Sequence, residues 1–249
     1  MALLVKYDYL DFNPEKLKAN DIDRIQMNMI RPKSRVLEIG CATGFMSSYM
    51  RKTLGCNVVG IEYDIEQAES AKTNCDLVFS GGIDSEIVQT NLDATVAESG
   101  SFDVVFMSQV IEHVGYYRPV LEKIRKDWLA PNGNLIVSTV NVAHWSSRLR
   151  LLMGKWEYED YGLFDSGHLR FFTPNSLEKD LRRAGFKVVE EGLSILDFRP
   201  LFFLPFLKKV TPHALLIRIP FFGSQLSRIY KKIFRNSITF QFVYKATAI

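Results

Sequence analysis

Cysteine is scarce: Cys41, Cys56 and Cys75 are the three in 249 residues, and they show no metal-ligand spacing. An odd set of this kind is no disulfide framework; it marks small buried residues in a reducing compartment. No apolar run approaches the ~18 residues of a membrane span. The opening "MALLVKYDYLDF" lacks the basic start and apolar stretch of a secretory signal. The expected address is therefore cytoplasmic. Repeats and low-complexity tracts are also missing, which excludes a solenoid or a disordered chain. Acidic residues are missing from one end. Residues 199–249 hold nine Lys/Arg and no Asp or Glu, against 22 and 28 in residues 1–198. An acidic body with a basic end implies a partner for that end.

What is present reads as alternating strands and helices. Short β-branched runs mark strands at Arg35–Ile39, Asn57–Glu62, Leu77–Ser80, Asp103–Met107 and Leu135–Val140, with helices expected near 45–54, 65–73 and 118–129. Gly55 suits a helix C-terminus, and the "PNG" of 131–133 reads as a turn before the fifth strand. In "TPNSLEKDLRRAGF", Thr173 caps a helix, Pro174 takes its first position and Gly185 follows it. A strand over Lys187–Val189, extending toward Ile195, comes next, and "SITFQFVYKAT" supplies the last one. This order predicts a Rossmann-like, doubly wound α/β fold with a seven-stranded, mostly parallel sheet. The expected organisation is one domain over 1–249. It has a donor-binding core at 30–196, an apolar, basic, helical insertion at 197–236 broken by Pro200, Pro205, Pro212 and Pro220, and a final strand at 237–249.

The turn in "VLEIGCATG" decides which ligand fits. A dinucleotide fingerprint spaces glycines as G-x-G-x-x-G for a pyrophosphate. Here Ala42 follows Gly40, and Phe45 stands close behind Gly44 where a third glycine would be needed, so a pyrophosphate reader and a nicotinamide oxidoreductase are disfavoured. A strand, a tight turn and a helix start remain, with Glu38 just before them. Backbone amides there can meet a carboxylate, and the acid suits an ammonium or sulfonium. Glu62 ends the second strand in "VVGIEYD", where a carboxylate can accept from both hydroxyls of a ribose. Ribose plus amino acid without phosphate describes S-adenosylmethionine.

Taken in order, "VLEIGCATG", "VVGIEYD", "FDVVFMSQVIEHV" and "LAPNGNLIVST" resemble the successive motifs of class I S-adenosylmethionine-dependent methyltransferases, over about residues 30–190. The resemblance implies that Glu38, Gly40, Ala42 and Gly44 border the methionine end of the donor. It implies Glu62 on the ribose, Gly82 and Ile83 near the adenine, and Ser108 among the donor's neighbours. Ala42 replaces a common glycine. Gly82 stands where similar enzymes often carry an aspartate for the adenine amino group, with Asp84 two residues on. The stretch from "VNVAHW" to "HLRFFTP" is similar to bacterial methyltransferases of surface-polysaccharide and glycolipid synthesis. The motif order is also similar to ubiquinone-pathway O-methyltransferases, and Val140 departs from a proline common there. The implied acceptor is a hydroxyl on a small molecule, a saccharide or a lipid-linked compound, and the aromatic-rich region Trp145–Phe172 is expected to form a lid over it.

Three of the four histidines (His113, His144 and His168) follow strands at the rim where such sheets bind ligands. His168 or His113 is the expected base, the other orienting the acceptor, with no metal; His213 is assigned no role. "QVIEH" with His168 also resembles the metal-binding set of small-RNA 2′-O-methyltransferases, but Gln109 is a weaker, neutral ligand and the acidic body is a poor nucleic-acid surface. A non-catalytic donor-binding membrane scaffold is the other alternative. In "FFGSQLSRIYKKIFR", Phe222, Leu226, Ile229, Tyr230, Ile233 and Phe234 recur on one side of a helix. Arg228, Lys231, Lys232 and Arg235 recur on another. Such a helix either lies on an anionic membrane, through 199–235, or packs on its own domain or a second copy.

Overall fold

The computed structural model describes residues 12–196 and 223–249. Seven strands form one sheet: β1 (Arg35–Ile39), β2 (Asn57–Glu62), β3 (Leu77–Ser80), β4 (Phe102–Ser108), β5 (Leu129–Val140), β6 (Phe186–Ile195) and β7 (Thr239–Ala248). Their order is β3-β2-β1-β4-β5-β7-β6, with β7 antiparallel to both its neighbours and the other pairings parallel. Among the described residues, eight α-helices accompany them: α1 (Ile22–Met27), α2 (Phe45–Lys52), α3 (Ile65–Ala71), α4 (Glu86–Ser99), α5 (Tyr117–Lys123), α6 (Trp145–Leu152), α7 (Pro174–Arg183) and α8 (Gly223–Ile238).

The inner strands are apolar on both faces because each face carries helices. Leu37, Ile39, Val105 and Met107 meet Leu92 of α4, Leu121 of α5 and Leu181 of α7 on one side. Val36, Val58, Val104 and Phe106 meet Met27 of α1, Met50 of α2 and Ala71 of α3 on the other. Cys41, Cys56 and Cys75 are free and buried, as expected. The expected start of α7 is also found: Thr173 and Ser176 form a reciprocal capping box, with Pro174 inside it.

Three local expectations need correction. The "PNG" lies within β5 rather than before it, and the β4–β5 register shifts between Phe102 and Val104 to absorb it. The helix expected near 118–129 is α5 followed by a π-helical turn, Ile124–Trp128. That turn seats the fully buried Trp128, whose Nε1–H donates to Asp93 Oδ1 at 2.7 Å. At the basic end, Arg235 does not belong to a free cationic face. It pairs with Glu191 of β6 and donates to Tyr244 Oη at 3.0 Å, tying the end of α8 to the sheet. Residues 197–222 of the expected insertion, with their prolines and His213, lie outside the described residues.

Candidate functional site

Strand order reverses beside β1, between β2 and β4, and ligands of open α/β sheets sit beyond the carboxyl ends of strands at such a point. A cavity of about 930 Å³ opens there, near the top of the range of roughly 300–1,000 Å³ for small-molecule sites. Glu38, Gly40, Ala42, Glu62, Gly82, Ile83, Ser108, His113 and His168 all line it. Of the residues singled out from sequence, Gly44 and His144 do not.

The turn after β1 is bent by three left-handed residues, Gly40 (φ 75°), Ala42 (φ 49°) and Gly44 (φ 77°). Gly40 and Cys41 both donate to the Ile61 carbonyl, at 2.8 and 3.0 Å, pinning the turn to β2. A side chain at Gly40 would have its Cβ 2.3 Å from Val110 Cγ2, so both the dihedral and the space require glycine. Gly44 has a different task. It starts α2 and lets α3 approach, since a Cβ there would stand 2.7 Å from that of Asn74.

Glu62 is oriented by backbone alone. Ala42 N–H donates to its Oε2 at 2.7 Å, and Asp64 N–H to its Oε1 at 3.0 Å. Each carboxylate oxygen retains a lone pair for a hydroxyl donor. Glu38 lies deeper, fully buried beneath the turn, and accepts from the Ser47 hydroxyl. Burial holds its carboxyl well above the usual range, with the nearby Cys75 and Glu62 adding to the effect. Beyond β3, buried Ile83 and the exposed ring of Tyr63 line the cavity with Gly82 and Asp84.

At the opposite end, the loop after β4 and the segment after α6 come together. Leu169 and Arg170 N–H groups both donate to the Glu112 carbonyl, at 2.9 and 3.0 Å. This brings the His113 and His168 rings edge to face, with centroids 4.8 Å apart. His113 Nδ1 lies 3.0 Å from the Gly167 carbonyl and His168 Nδ1 3.3 Å from that of Leu163. A carbonyl only accepts, so Nδ1 is the donor in each of these contacts. His144 does not join them. It is buried, its ring nitrogens meet Ser146 Oγ and the Leu196 carbonyl, and burial lowers its affinity for a proton.

Sequence reading missed Glu112 as a site residue in its own right. The residue lines the cavity, and its carboxyl is fully buried beside Thr139 and the Val140 backbone. Burial, with a smaller contribution from Asp165, pushes it up to about 7. Asp21 and Asp23 of the α1 region were missed too, because "DID" before a short helix reads as a cap. The expected aromatic lid is corrected. Trp156 packs edge to face on Phe164 and Phe171, and buried Phe172 on Tyr117. From this segment it is Gly162, Asp165, Gly167, His168 and Leu169 that reach the cavity.

A methyltransferase-domain family model matches residues 10–191. The chain is 29% identical over 156 residues to a ubiquinone biosynthesis O-methyltransferase of Cereibacter sphaeroides, covering 63% of this chain and 61% of the relative. It therefore spans about three fifths of that enzyme's length. A protein of the same name from Ruegeria pomeroyi is 30% identical over 176 residues, covering 69% and 68%. Among solved structures, a SAM-dependent methyltransferase from Archaeoglobus fulgidus superposes with a TM-score of 0.58 at 16% identity, covering 90% of this chain and 91% of that one. A cyclopropane synthase from Mycobacterium tuberculosis gives 0.55 at 15% identity, covering 93% and 87%. At these identities the solved structures share the fold. The family match, spanning most of the chain, makes the protein a member of the methyltransferase-domain family.

Proposed function

We propose that the protein transfers a methyl group from S-adenosylmethionine to a hydroxyl of a small-molecule, saccharide or lipid-linked acceptor. The observation that carries the donor half is Glu62: a carboxylate at the end of β2, fixed by two backbone amides and turned into a cavity beside a glycine turn. That is a receptor for paired hydroxyls, and no phosphate-binding glycine pattern accompanies it. The relatives named O-methyltransferases support a hydroxyl acceptor. When bound, S-adenosylmethionine supplies a methyl carbon already activated by its sulfonium. The chain's own residues have two tasks, alignment and removal of the acceptor proton. Orientation of the reactants supplies up to ~7–11 kcal/mol in favourable cases. His168 Nε2 receives the acceptor O–H proton, and His113 at the cavity mouth orients the acceptor. Calorimetry with S-adenosylhomocysteine should show Glu62→Ala weaker by about 1.5–3 kcal/mol, the scale of hydrogen bonds to a charged group. Equal affinity in the variant would remove Glu62 from the ribose.

The metal-dependent RNA reading is disfavoured by where Gln109 points. Its backbone is left-handed (φ 54°), its Nε2 donates to Ser138 Oγ at 3.0 Å, and its Oε1 accepts from Gln241 at 3.3 Å. The amide is thus engaged with β5 and β7. The scaffold reading lacks a use for the histidine pair and Glu112.

Helix α8 supports a lipid-linked acceptor. Leu226, Ile229, Ile233 and Phe234 are exposed on it, as are Arg228 and Lys232. Among the described residues no helix is long and apolar enough to cross a membrane. An exposed apolar stripe flanked by cations instead suits the surface of an anionic bilayer, where enzyme and acceptor would share one plane. Arg228→Gln with Lys232→Gln should weaken sedimentation with anionic vesicles about 30-fold at low salt, from about 1 kcal/mol per cation. Donor affinity should be unaffected. Sedimentation that ignores lipid charge and both substitutions would return α8 to a packing role.

A further inference from the structure

Cys41 and Cys75 have no part in the chemistry above, yet the fold brings their sulfurs together. Gly60 of β2 makes the room. A Cβ there would stand 2.8 Å from Cys41 Sγ and 3.0 Å from Cys75 Sγ, so both sulfurs share the space of its missing side chain. The Cys41 thiol donates a hydrogen bond to Cys75, and both cysteines are free. Cys56 is buried elsewhere, with its Sγ 3.7 Å from the Arg31 carbonyl. The bond from Cys41 lowers the Cys75 thiol against the opposing effect of burial, and Ser47 and Arg51 add to the lowering. That favours the thiolate, the form that oxidises. Cys41 supplies the way in, because it belongs to the cavity wall.

Position gives the pair a consequence. Cys41 stands between Gly40 and Ala42, in the turn whose Ala42 N–H holds Glu62 Oε2 at 2.7 Å. Cys75 is seated on α3, its N–H donating to the Ala71 carbonyl at 2.9 Å. A covalent S–S bond is much shorter than a hydrogen bond between thiols. Closing it draws Cys41 toward α3 and takes the Ala42 amide away from Glu62.

We infer that Cys41 and Cys75 are a thiol pair that a peroxide closes into a disulfide, and that this bond weakens donor binding. The effect on the donor rests on the reading of Glu62 above; the bond itself does not. One sulfur attacks the O–O bond of hydrogen peroxide and becomes a sulfenic acid as water leaves. The second thiol attacks that sulfur and a second water leaves. Two S–H groups are oxidised to one S–S bond, one hydrogen peroxide is reduced to two waters, and a thiol reductant reverses the change.

The test treats the full chain with hydrogen peroxide, alkylates the remaining thiols after unfolding, and maps the peptides by mass spectrometry. The expected product joins the Cys41 and Cys75 peptides, leaves Cys56 alkylated and disappears on treatment with dithiothreitol. Calorimetry should show the oxidised chain binding S-adenosylhomocysteine about tenfold more weakly, with affinity restored by dithiothreitol. Cys75→Ser should form no cross-link and keep its affinity through the peroxide treatment; Cys75→Ala serves if that variant folds poorly. Cys41 and Cys75 both alkylated after peroxide, or a cross-link through Cys56, would overturn the pairing. A cross-link with unchanged affinity, or a loss in Cys75→Ser as large as in the wild type, would overturn the effect on the donor. A reduced wild type that binds no S-adenosylhomocysteine would instead overturn the donor reading, which the peptide map does not depend on.

Discussion

Replacing His168 with glutamine should lower turnover about 10²–10⁴-fold, the usual worth of a positioned general base. Donor affinity should barely change. Glutamine preserves bulk and hydrogen bonding at a buried position but takes no proton. His168 is the better base of the pair on burial: it is 8% exposed, whereas His113 stands open at the mouth. Its Nδ1 faces the Leu163 carbonyl, which orients the ring. His113→Gln should raise the KM for acceptor more than it lowers kcat, as expected of a group that orients. A loss confined to His113→Gln would exchange the two roles, and full activity in both variants would remove imidazole from proton transfer. The acceptor for these assays comes from donor-dependent labelling of a cell extract, fractionated into lipid, saccharide and RNA pools.

Much of this arrangement was legible before any coordinates. β1 to β4 stood out because each is a short apolar run between turn residues, and their ends carry the residues proposed to meet the donor. Helix α4 was not legible, because Val88 and Leu92 are its two buried side chains, and Ile87 stands exposed next to them and blurs the apolar stripe. Asp23 was hidden for another reason. A six-residue helix says nothing about where it lies, and its position by β4 comes from the Gln26–Ser108 bond, between residues 82 apart in sequence. Arg235 looked like one cation among four until β6 presented Glu191 to it. The aromatics of 145–172 were read as ligand faces because flat apolar rings serve packing and stacking equally, and here Trp156 and Phe164 chose each other. Residue type and spacing thus located the strand ends, while partners distant in sequence decided which side chains turn into the cavity.

Glu112 offers the second large effect, and it appears in stability. The acid titrates at about 7 in the fold against 4.5 as an ordinary carboxyl, chiefly because burial disfavours its charge. The native state therefore keeps a proton that the unfolded chain has released. For such a group, stability is fully present below about 4.5 and is lost as pH rises toward about 7. The difference corresponds to about 3 kcal/mol. Glu112→Gln has nearly the same shape and no charge, so it lacks this slope. Urea unfolding at pH 5 and pH 8 should show the variant gaining on the wild type by up to that amount at the higher pH. Parallel behaviour of the two proteins would mean that the carboxyl is solvated and ordinary. A buried acid on the cavity wall that ionises near neutral pH would place a negative charge there while an imidazole takes the acceptor's proton. Glu112→Gln should then stabilise the fold at pH 8 and slow the reaction there, a trade of stability against activity that a purely structural glutamate would not show.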